Sequence, residues 1–183
     1  MESKNKITVI YRSKYGSSKK YAGWIAIKLD ADLYELSDIT SGDLLDYEKI
    51  IFVSSIYSGK ILGVNFLTKN FDKIKDKDVI ICAVGILSDS IENKRKIIET
   101  NFDEEFAKTV KLYNLKGAYD YKNLTLLDKV MMNGLKIGLQ NKSVYDYTGD
   151  DEFIFNNVYS KLDFTDRELV TPVVEYILED AYE

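Results

Sequence analysis

Hydrophobic positions follow two periods along the chain, one typical of strands and one typical of helices. Residues 50–53 and 79–84 are continuously apolar and short, as strands are when both faces of their sheet are covered. Residues 7–11 and 110–115 are further strand-like runs, and residues 32–36 alternate with period two, as a half-exposed edge strand does. The pattern therefore predicts five strands.

Apolar residues at helical spacing separate these strands. Three groups show this spacing: Tyr21, Ala22, Ile25, Ala26 and Leu29; Leu62, Phe66, Asn70, Phe71 and Ile74; and Ile91, Ile98 and Phe102. Asp89 and Glu92 have the spacing of a capping box, which predicts the start of the third helix. Thr171 followed by Pro172 is typical of a helix start and predicts a last helix that extends to about Asp180.

Alternation of strands and helices indicates a parallel sheet with helices on both faces, so we expect one doubly wound α/β domain over residues 1–183. Residues 116–170, between the fifth strand and the last helix, exceed an ordinary connection and form an insertion with a helix predicted at 125–139. Ligands of such sheets bind outside the carboxyl ends of the strands. The loops after the first, third and fourth strands are therefore the candidate site.

The loop after the first strand, residues 12–20, combines three hydroxyls, one glycine and the start of a helix. Ser13, Ser17 and Ser18 could donate hydrogen bonds to a phosphate, and Gly16 would let the backbone approach it closely. The dipole of the following helix favours an anion at this end. The alternative interpretation is an ordinary helix with a serine-rich cap.

Three other phosphate-binding folds lack their motifs in this sequence. A P-loop requires GxxxxGK[ST], but the glycine-lysine pair at 59–60 is followed by Ile61. The dinucleotide motif GxGxxG does not occur. A receiver domain requires acidic residues where this chain has Arg12 and Ser13, and an aspartate where it has Ser54.

The loops after the third and fourth strands could hold a planar group beside the phosphate. In residues 54–60, Tyr57 offers an aromatic face and the pair Ser58-Gly59 allows the backbone to turn towards it. Residues 85–88 form a small apolar loop with accessible backbone groups. Together the loops describe a mononucleotide site with a planar head. The alternative is that Tyr57 is an ordinary packed surface tyrosine.

These motifs resemble those of the flavodoxins. Ser13, Gly16 and Ser18 match the Ser/Thr-x-Thr-Gly-x-Thr phosphate loop, whereas Tyr15 replaces its middle hydroxyl. Residues 55–60 resemble the second loop of the flavodoxin-domain branch that includes menaquinone-dependent protoporphyrinogen oxidase, and Val84-Gly85 with the short apolar loop after it also fits. Residues 117–121, 127–132 and 161–166 resemble the insertion of that branch and the approach to its last helix. The resemblance covers nearly the whole chain.

The resemblance implies a flavodoxin-like sheet of five parallel strands in the order 2-1-3-4-5, with a helical insertion after the fifth strand. It also implies FMN, bound non-covalently, with its phosphate in the first loop and its ring between the second and third loops. Tyr57 would stack on the ring. The implied cofactor-binding residues are Ser13, Lys14, Tyr15, Gly16, Ser17, Ser18, Ser55, Ile56, Tyr57, Ser58, Gly59, Val84, Gly85, Ile86, Leu87 and Ser88.

The amino-acid composition excludes several kinds of catalytic and metal-binding site. The chain has no histidine, which excludes Ser-His-Asp and Cys-His catalysis and histidine-ligated zinc. Its single cysteine, Cys82, excludes an intrachain disulfide and a cysteine-ligated cluster. Redox chemistry would therefore have to come from a cofactor. We assign no catalytic residue and no metal ligand.

Charge is distributed unevenly along the chain. The net charge is −5, but residues 1–30 carry seven basic and two acidic residues, a balance of +5, so the rest carries −10. An acidic body disfavours nucleic-acid binding, and it would lower the reduction potential of a bound flavin. No charge-free run exceeds ten residues, and the amino-terminal residues lack a signal-peptide core, so we expect a cytoplasmic protein.

The sequence thus predicts an FMN-dependent redox protein, either an electron carrier or a small oxidoreductase. The alternative is a protoporphyrinogen dehydrogenase that passes electrons to a quinone, and a third reading is a flavin-free interaction module. Partners would be a redox protein, a quinone or a porphyrinogen. The resemblance also associates the insertion with substrate, quinone or peripheral membrane contact, whereas the simpler interpretation is an amphipathic helix docked on the sheet.

Overall fold

A computed structural model of the protein describes residues 6–179. The strands are β1 (Ile7–Arg12), β2 (Asp32–Glu35), β3 (Lys49–Tyr57), β4 (Lys60–Ile61), β5 (Asp78–Gly85), β6 (Val110–Lys116), β7 (Ala118–Asp120) and β8 (Lys161–Asp163). The helices are α1 (Ser17–Leu29), α2 (Asn65–Thr68), α3 (Phe71–Ile74), α4 (Ile91–Asn101), α5 (Glu104–Thr109), α6 (Leu126–Gln140), α7 (Gly149–Asn157) and α8 (Thr171–Glu179). Asp180, the predicted end of the last helix, lies outside the described residues.

Five parallel strands form the main sheet in the order β2-β1-β3-β5-β6. If only the five parallel strands are numbered along the chain, this is the predicted order 2-1-3-4-5, which is therefore confirmed. Successive side chains of a strand point to opposite faces. Val9, Ile51 and Ile80 accordingly pack with α1 and α8 on one face, while Phe52 and Ile81 belong to the core on the other. Continuous apolar runs are thus explained by helices on both faces of the sheet.

The third strand is longer than predicted. Ser54 to Tyr57 belong to β3 and not to a loop. The first two of them pair with β5, and the last two pair with β4, which folds back on this end of the strand. Ser54 is fully buried, and its hydroxyl donates to the carbonyl of Leu62 at 2.6 Å. The predicted turn is therefore shorter, and it consists of two residues at the tip of a hairpin.

That hairpin turn is formed by Ser58 and Gly59. Both have positive φ, 48° and 78°. This is the backbone conformation of the two-residue turns that match the twist of adjoining strands. Glycine adopts it without strain and serine at some cost. The turn holds the end of β3 in a defined position at the carboxyl edge of the sheet.

Two of the predicted helices differ from the structure. The second is broken into α2 and α3, because Asn70 leaves the helical conformation and its side-chain amide donates to the carbonyl of Phe66 at 2.7 Å. The helix after β5 is capped by Ser90 and not by Asp89, and the Ser90 hydroxyl accepts from the backbone N–H of Asn93. Ile91, which we expected on its apolar face, is 89% exposed.

A helical insertion follows the fifth parallel strand, as predicted. Strands β7 and β8 pair antiparallel with each other, and helices α6 and α7 lie between them along the chain. Thr125 caps α6, and Thr148 forms a capping box with Asp151 at the start of α7. Among residues 6–179, no helix has both the length and the apolar character needed to cross a membrane.

Helix α6 docks only in part. Its Asp128 and Met131 contact the loops at the carboxyl edge of the sheet, whereas Leu126, Leu127 and Val130 are 83%, 73% and 68% exposed. The expectation of a helix docked on the sheet therefore describes one side of α6 only. Contact of its exposed side with a membrane or a quinone stays a prediction.

Candidate functional site

A cavity of about 400 Å³ lies at the carboxyl ends of β1, β3 and β5, beneath the insertion. This volume falls within the roughly 300–1,000 Å³ of small-molecule sites. Its lining is mainly apolar. The position is the one at which doubly wound sheets bind their ligands.

Most of the predicted site residues line this cavity. They are Lys14, Tyr15 and Ser17 of the first loop, Ser55, Ile56, Tyr57, Ser58 and Gly59 of the hairpin, and Val84, Gly85, Ile86 and Leu87 after β5. The structure does not bring Ser13, Gly16, Ser18 and Ser88 to the lining. The sequence analysis did not identify the lining residues of the insertion and of α4, among them Asp128, Met131, Met132, Leu135, Lys96 and Asn93.

Gly16 shapes the first loop. It caps α1 with φ at +96°, and a side chain at this position would meet no atom within 4 Å. No side-chain hydrogen bond caps the start of this helix. The first N–H groups of a helix need partners from outside the helix. The amino end of α1 is therefore open towards a ligand and favours an anion.

Two hydroxyls of this loop retain a proton that they can donate. Ser13 accepts from the backbone N–H of Gly16 at 3.0 Å, and Ser17 accepts from that of Ala118 at 2.9 Å. A hydroxyl that accepts in this way can still donate its own hydrogen. Ser18 differs, because it is fully buried and pairs with the hydroxyl of Ser55 at 2.9 Å. The open helix end and these two hydroxyls fit a phosphate group.

Ser88, in the third loop, turns towards the insertion. Its N–H and hydroxyl donate to the carboxylate of Asp150 in α7 at 3.2 and 3.0 Å, and Asn93 donates to the same carboxylate at 2.6 Å. Burial raises the pKa of Asp150, but the hydrogen bonds from Asn93 and Ser88 outweigh burial and lower the pKa overall. The third loop is thereby tied to α7.

Asp128 of α6 is the most deeply buried acidic residue of the site, with 2% of its surface exposed. The Lys14 ammonium donates to it at 2.8 Å, the Tyr57 hydroxyl donates at 2.6 Å, and the Tyr15 hydroxyl also donates to it. Burial raises the pKa of Asp128, but these hydrogen bonds outweigh burial and hold the pKa well below its usual range. The carboxylate is therefore ionised at neutral pH.

The partners of Asp128 respond to its charge. Burial lowers the pKa of Lys14, but the hydrogen bond and charge of Asp128 raise it more, so the ammonium keeps its proton. The hydrogen bond to Asp128 also raises the pKa of Tyr57. The Lys14 ammonium lies 3.5 Å from the centre of the Tyr57 ring and covers one face. The predicted stacking of Tyr57 on a ligand ring would therefore have to use the other face of the tyrosine ring.

Cys82 offers no nucleophile to this site. Its side chain is fully buried in β5, and burial raises the pKa of its thiol. What the cavity wall offers to a ligand is hydrogen-bonding groups, charge and apolar contact. Any redox chemistry would be supplied by the ligand.

Stability should depend on Asp128 and on pH. Replacing it in Asp128→Asn removes the charge that pairs with Lys14, and we expect the free energy of unfolding to fall by about 2–4 kcal/mol at pH 7. Because the pKa of Asp128 is lower in the folded protein, its contribution is present above the unfolded pKa of about 3.9 and is lost as the pH falls below that value. The difference between variant and parent should therefore narrow below about pH 4.

Urea unfolding followed by Trp24 fluorescence at several pH values measures this difference. Asp89→Asn is the control, because its ion pair with Lys94 is exposed and should contribute less than about 1 kcal/mol. A difference between Asp128→Asn and the parent that is equally large at pH 7 and pH 3 would contradict the role of the ionised carboxylate.

The sequence matches the family model described as flavodoxin domain over residues 8–144. Among solved structures, the Trp repressor binding protein from Bacillus subtilis is 19% identical, with a TM-score of 0.45, covering 61% of this chain and 83% of that chain. Oxidised flavodoxin 2 from Bacillus cereus is 18% identical, with a TM-score of 0.43, covering 84% and 94%. The two-electron reduced flavodoxin of Megasphaera elsdenii is 17% identical, with a TM-score of 0.44, covering 60% and 85%.

A comparison with curated proteins gives no match. The likenesses to solved structures are too low in identity and TM-score to bear on function. The family match is different, because it spans well over half of the chain. This protein therefore belongs to the flavodoxin domain family.

Proposed function

We propose that the protein binds FMN non-covalently and acts in electron transfer, as a carrier or a small oxidoreductase. The observation that carries this proposal is the open amino end of α1 at Gly16, which lies at the same edge of the sheet as the apolar cavity. A flavin mononucleotide has an anionic phosphate at one end and a flat aromatic ring at the other, joined by a ribityl chain. Family membership supports the same ligand class.

Each part of the site would have a separate task. The N–H groups at the start of α1, with the hydroxyls of Ser13 and Ser17, would hold the phosphate. The hairpin around Tyr57 and the segment from Gly85 to Leu87 would hold the ring. Bound FMN supplies the electron-accepting group that the side chains of this chain lack. The apolar wall would limit the access of water to the ring, and the Lys14 ammonium balances the charge of Asp128 beside the cavity.

Gly16 provides the sharpest test of the phosphate site. Gly16→Val should weaken FMN binding at least about tenfold, because valine is strained at a φ of +96° and its methyl groups would enter the open space before α1. Binding is measured by the quenching of flavin fluorescence and by the yellow colour that remains after desalting. Circular dichroism shows whether the variant is folded.

Gly23→Val is the matched control. Gly23 lies in the same helix, has open space around it, and has no positive φ, so this variant should bind FMN as the parent does. Equal FMN affinity of Gly16→Val and the parent would contradict a phosphate site at α1. A parent protein that stays colourless after FMN is added would instead favour the flavin-free interaction module.

The second candidate function is quinone-dependent protoporphyrinogen oxidation. It is favoured by Met131, Met132 and Leu135, which form an apolar wall of the cavity on the insertion. A wall of this kind suits a flat apolar substrate or acceptor. If this function is right, the FMN-loaded protein should oxidise protoporphyrinogen with a quinone as acceptor, and porphyrin fluorescence should rise. If porphyrin fluorescence rises no faster than with free FMN in the absence of the protein, the carrier function is the better proposal.

A further inference from the structure

Tyr15 is the residue at which the first loop departs from the flavodoxin pattern. Its hydroxyl forms hydrogen bonds with the insertion. It donates to the carboxylate of Asp128 and accepts from the backbone N–H of Thr125 at 3.4 Å. Thr125 is the residue that caps α6. Tyr15 therefore joins the first loop to the first turn of the insertion helix.

The second loop reaches the same carboxylate. Tyr57 donates its hydroxyl to Asp128, and the neighbouring Ser58 hydroxyl lies 3.2 Å from the sulfur of Met131, one turn further along α6. Lys14 completes the set from the first loop. Two loops of the proposed flavin site thus meet on one residue of the insertion.

Apart from Asp128, the contacts that hold helix α6 begin at its middle, where Asn133 accepts hydrogen bonds from the hydroxyls of Tyr121 and Tyr159. Of its fifteen residues, only Asp128 and Leu139 are buried. Leu126, Leu127 and Val130 point away from the protein and are largely exposed. Little apolar area therefore fixes the amino-terminal half of α6, and the hydrogen bonds to Asp128 bear most of that task.

The position of α6 determines one wall of the cavity. Met131, Met132 and Leu135 line the cavity within two turns after Asp128 on the same helix. A rigid helix transmits a shift at Asp128 to all three side chains. Asp128 does not have to contact the flavin to influence the space in front of it.

We propose that Asp128 is a positioning residue that couples occupancy of the flavin site to the placement of α6. This inference rests on the proposed FMN site. A ligand held by the first two loops restricts the motion of Lys14, Tyr15 and Tyr57, which are the donors to Asp128. Because FMN binding has already ordered these three side chains, their hydrogen bonds to Asp128 form with a smaller loss of conformational entropy. FMN binding therefore favours the position of α6 in which Asp128 is hydrogen-bonded and the apolar wall is in place.

Hydrogen exchange of the full-length protein, followed by mass spectrometry, tests both halves of the proposal. Without FMN, peptides from residues 125–140 should exchange about tenfold faster or more in Asp128→Asn than in the parent. Asp163→Asn is the matched control, because Asp163 also joins the insertion to a lysine near the first loop, Lys20 at 3.5 Å, but is exposed. This control should leave exchange of α6 unchanged.

With FMN, the parent should show slower exchange both in residues 13–20 and in residues 125–140. In Asp128→Asn, FMN should still slow exchange in residues 13–20 but no longer in residues 125–140. Equal exchange of α6 in the flavin-free parent and Asp128→Asn would overturn the positioning role. Equal slowing of α6 by FMN in both proteins would overturn the coupling.

The two proposals can fail separately. If FMN slows exchange in neither segment of the parent, the proposed flavin site is wrong, while the flavin-free comparison still decides whether Asp128 seats α6. Tyr15→Phe provides a milder second variant in case Asp128→Asn does not fold. It removes one donor to Asp128 and should accelerate exchange of α6 in the same direction by a smaller factor, and unchanged exchange would count against the role of Asp128.

Discussion

The open amino end of α1 is the constraint around which the site is arranged. A helix leaves its first N–H groups without partners inside the helix, and here no side chain caps them. Parallel strands bring this helix end to the same edge of the sheet as the β3–β4 hairpin and the end of β5. An anion at that end would satisfy the backbone groups, and the apolar cavity beside it would accept a flat ring.

The insertion adds a second constraint, which is the pairing of a buried charge. An ionised carboxylate without partners inside a protein is costly, so Asp128 requires Lys14, Tyr15 and Tyr57 to stay within hydrogen-bond distance. The same requirement draws α6 over the cavity. A second acidic residue of the insertion, Asp150, accepts hydrogen bonds from Ser88 and Asn93 and so ties the third loop to α7. Two acidic residues of the insertion thus attach its helices α6 and α7 to the loops at the carboxyl edge of the doubly wound sheet.

The features that could be predicted from the sequence are those encoded locally. Continuous apolar runs predicted the central strands, and a short motif around Gly16 predicted the loop before α1. Asp128 could not be identified as a site residue, because its partner Lys14 is 114 positions away and an acid near a helix start reads as a capping residue. Tyr15 likewise showed only that a hydroxyl was missing from the pattern. The break at Asn70 depends on a side-chain hydrogen bond, and the extension of β3 depends on pairing with β5 and β4. The periodicity of apolar residues gives no information about either contact.

The most direct test of this account compares the affinity of the protein for FMN and for riboflavin, which has the same ring but no phosphate. Fluorescence titration of both ligands under the same conditions is sufficient. If the amino end of α1 holds the phosphate, FMN should bind at least about a hundredfold more tightly than riboflavin. Equal affinities, or binding of neither ligand, would contradict the central claim.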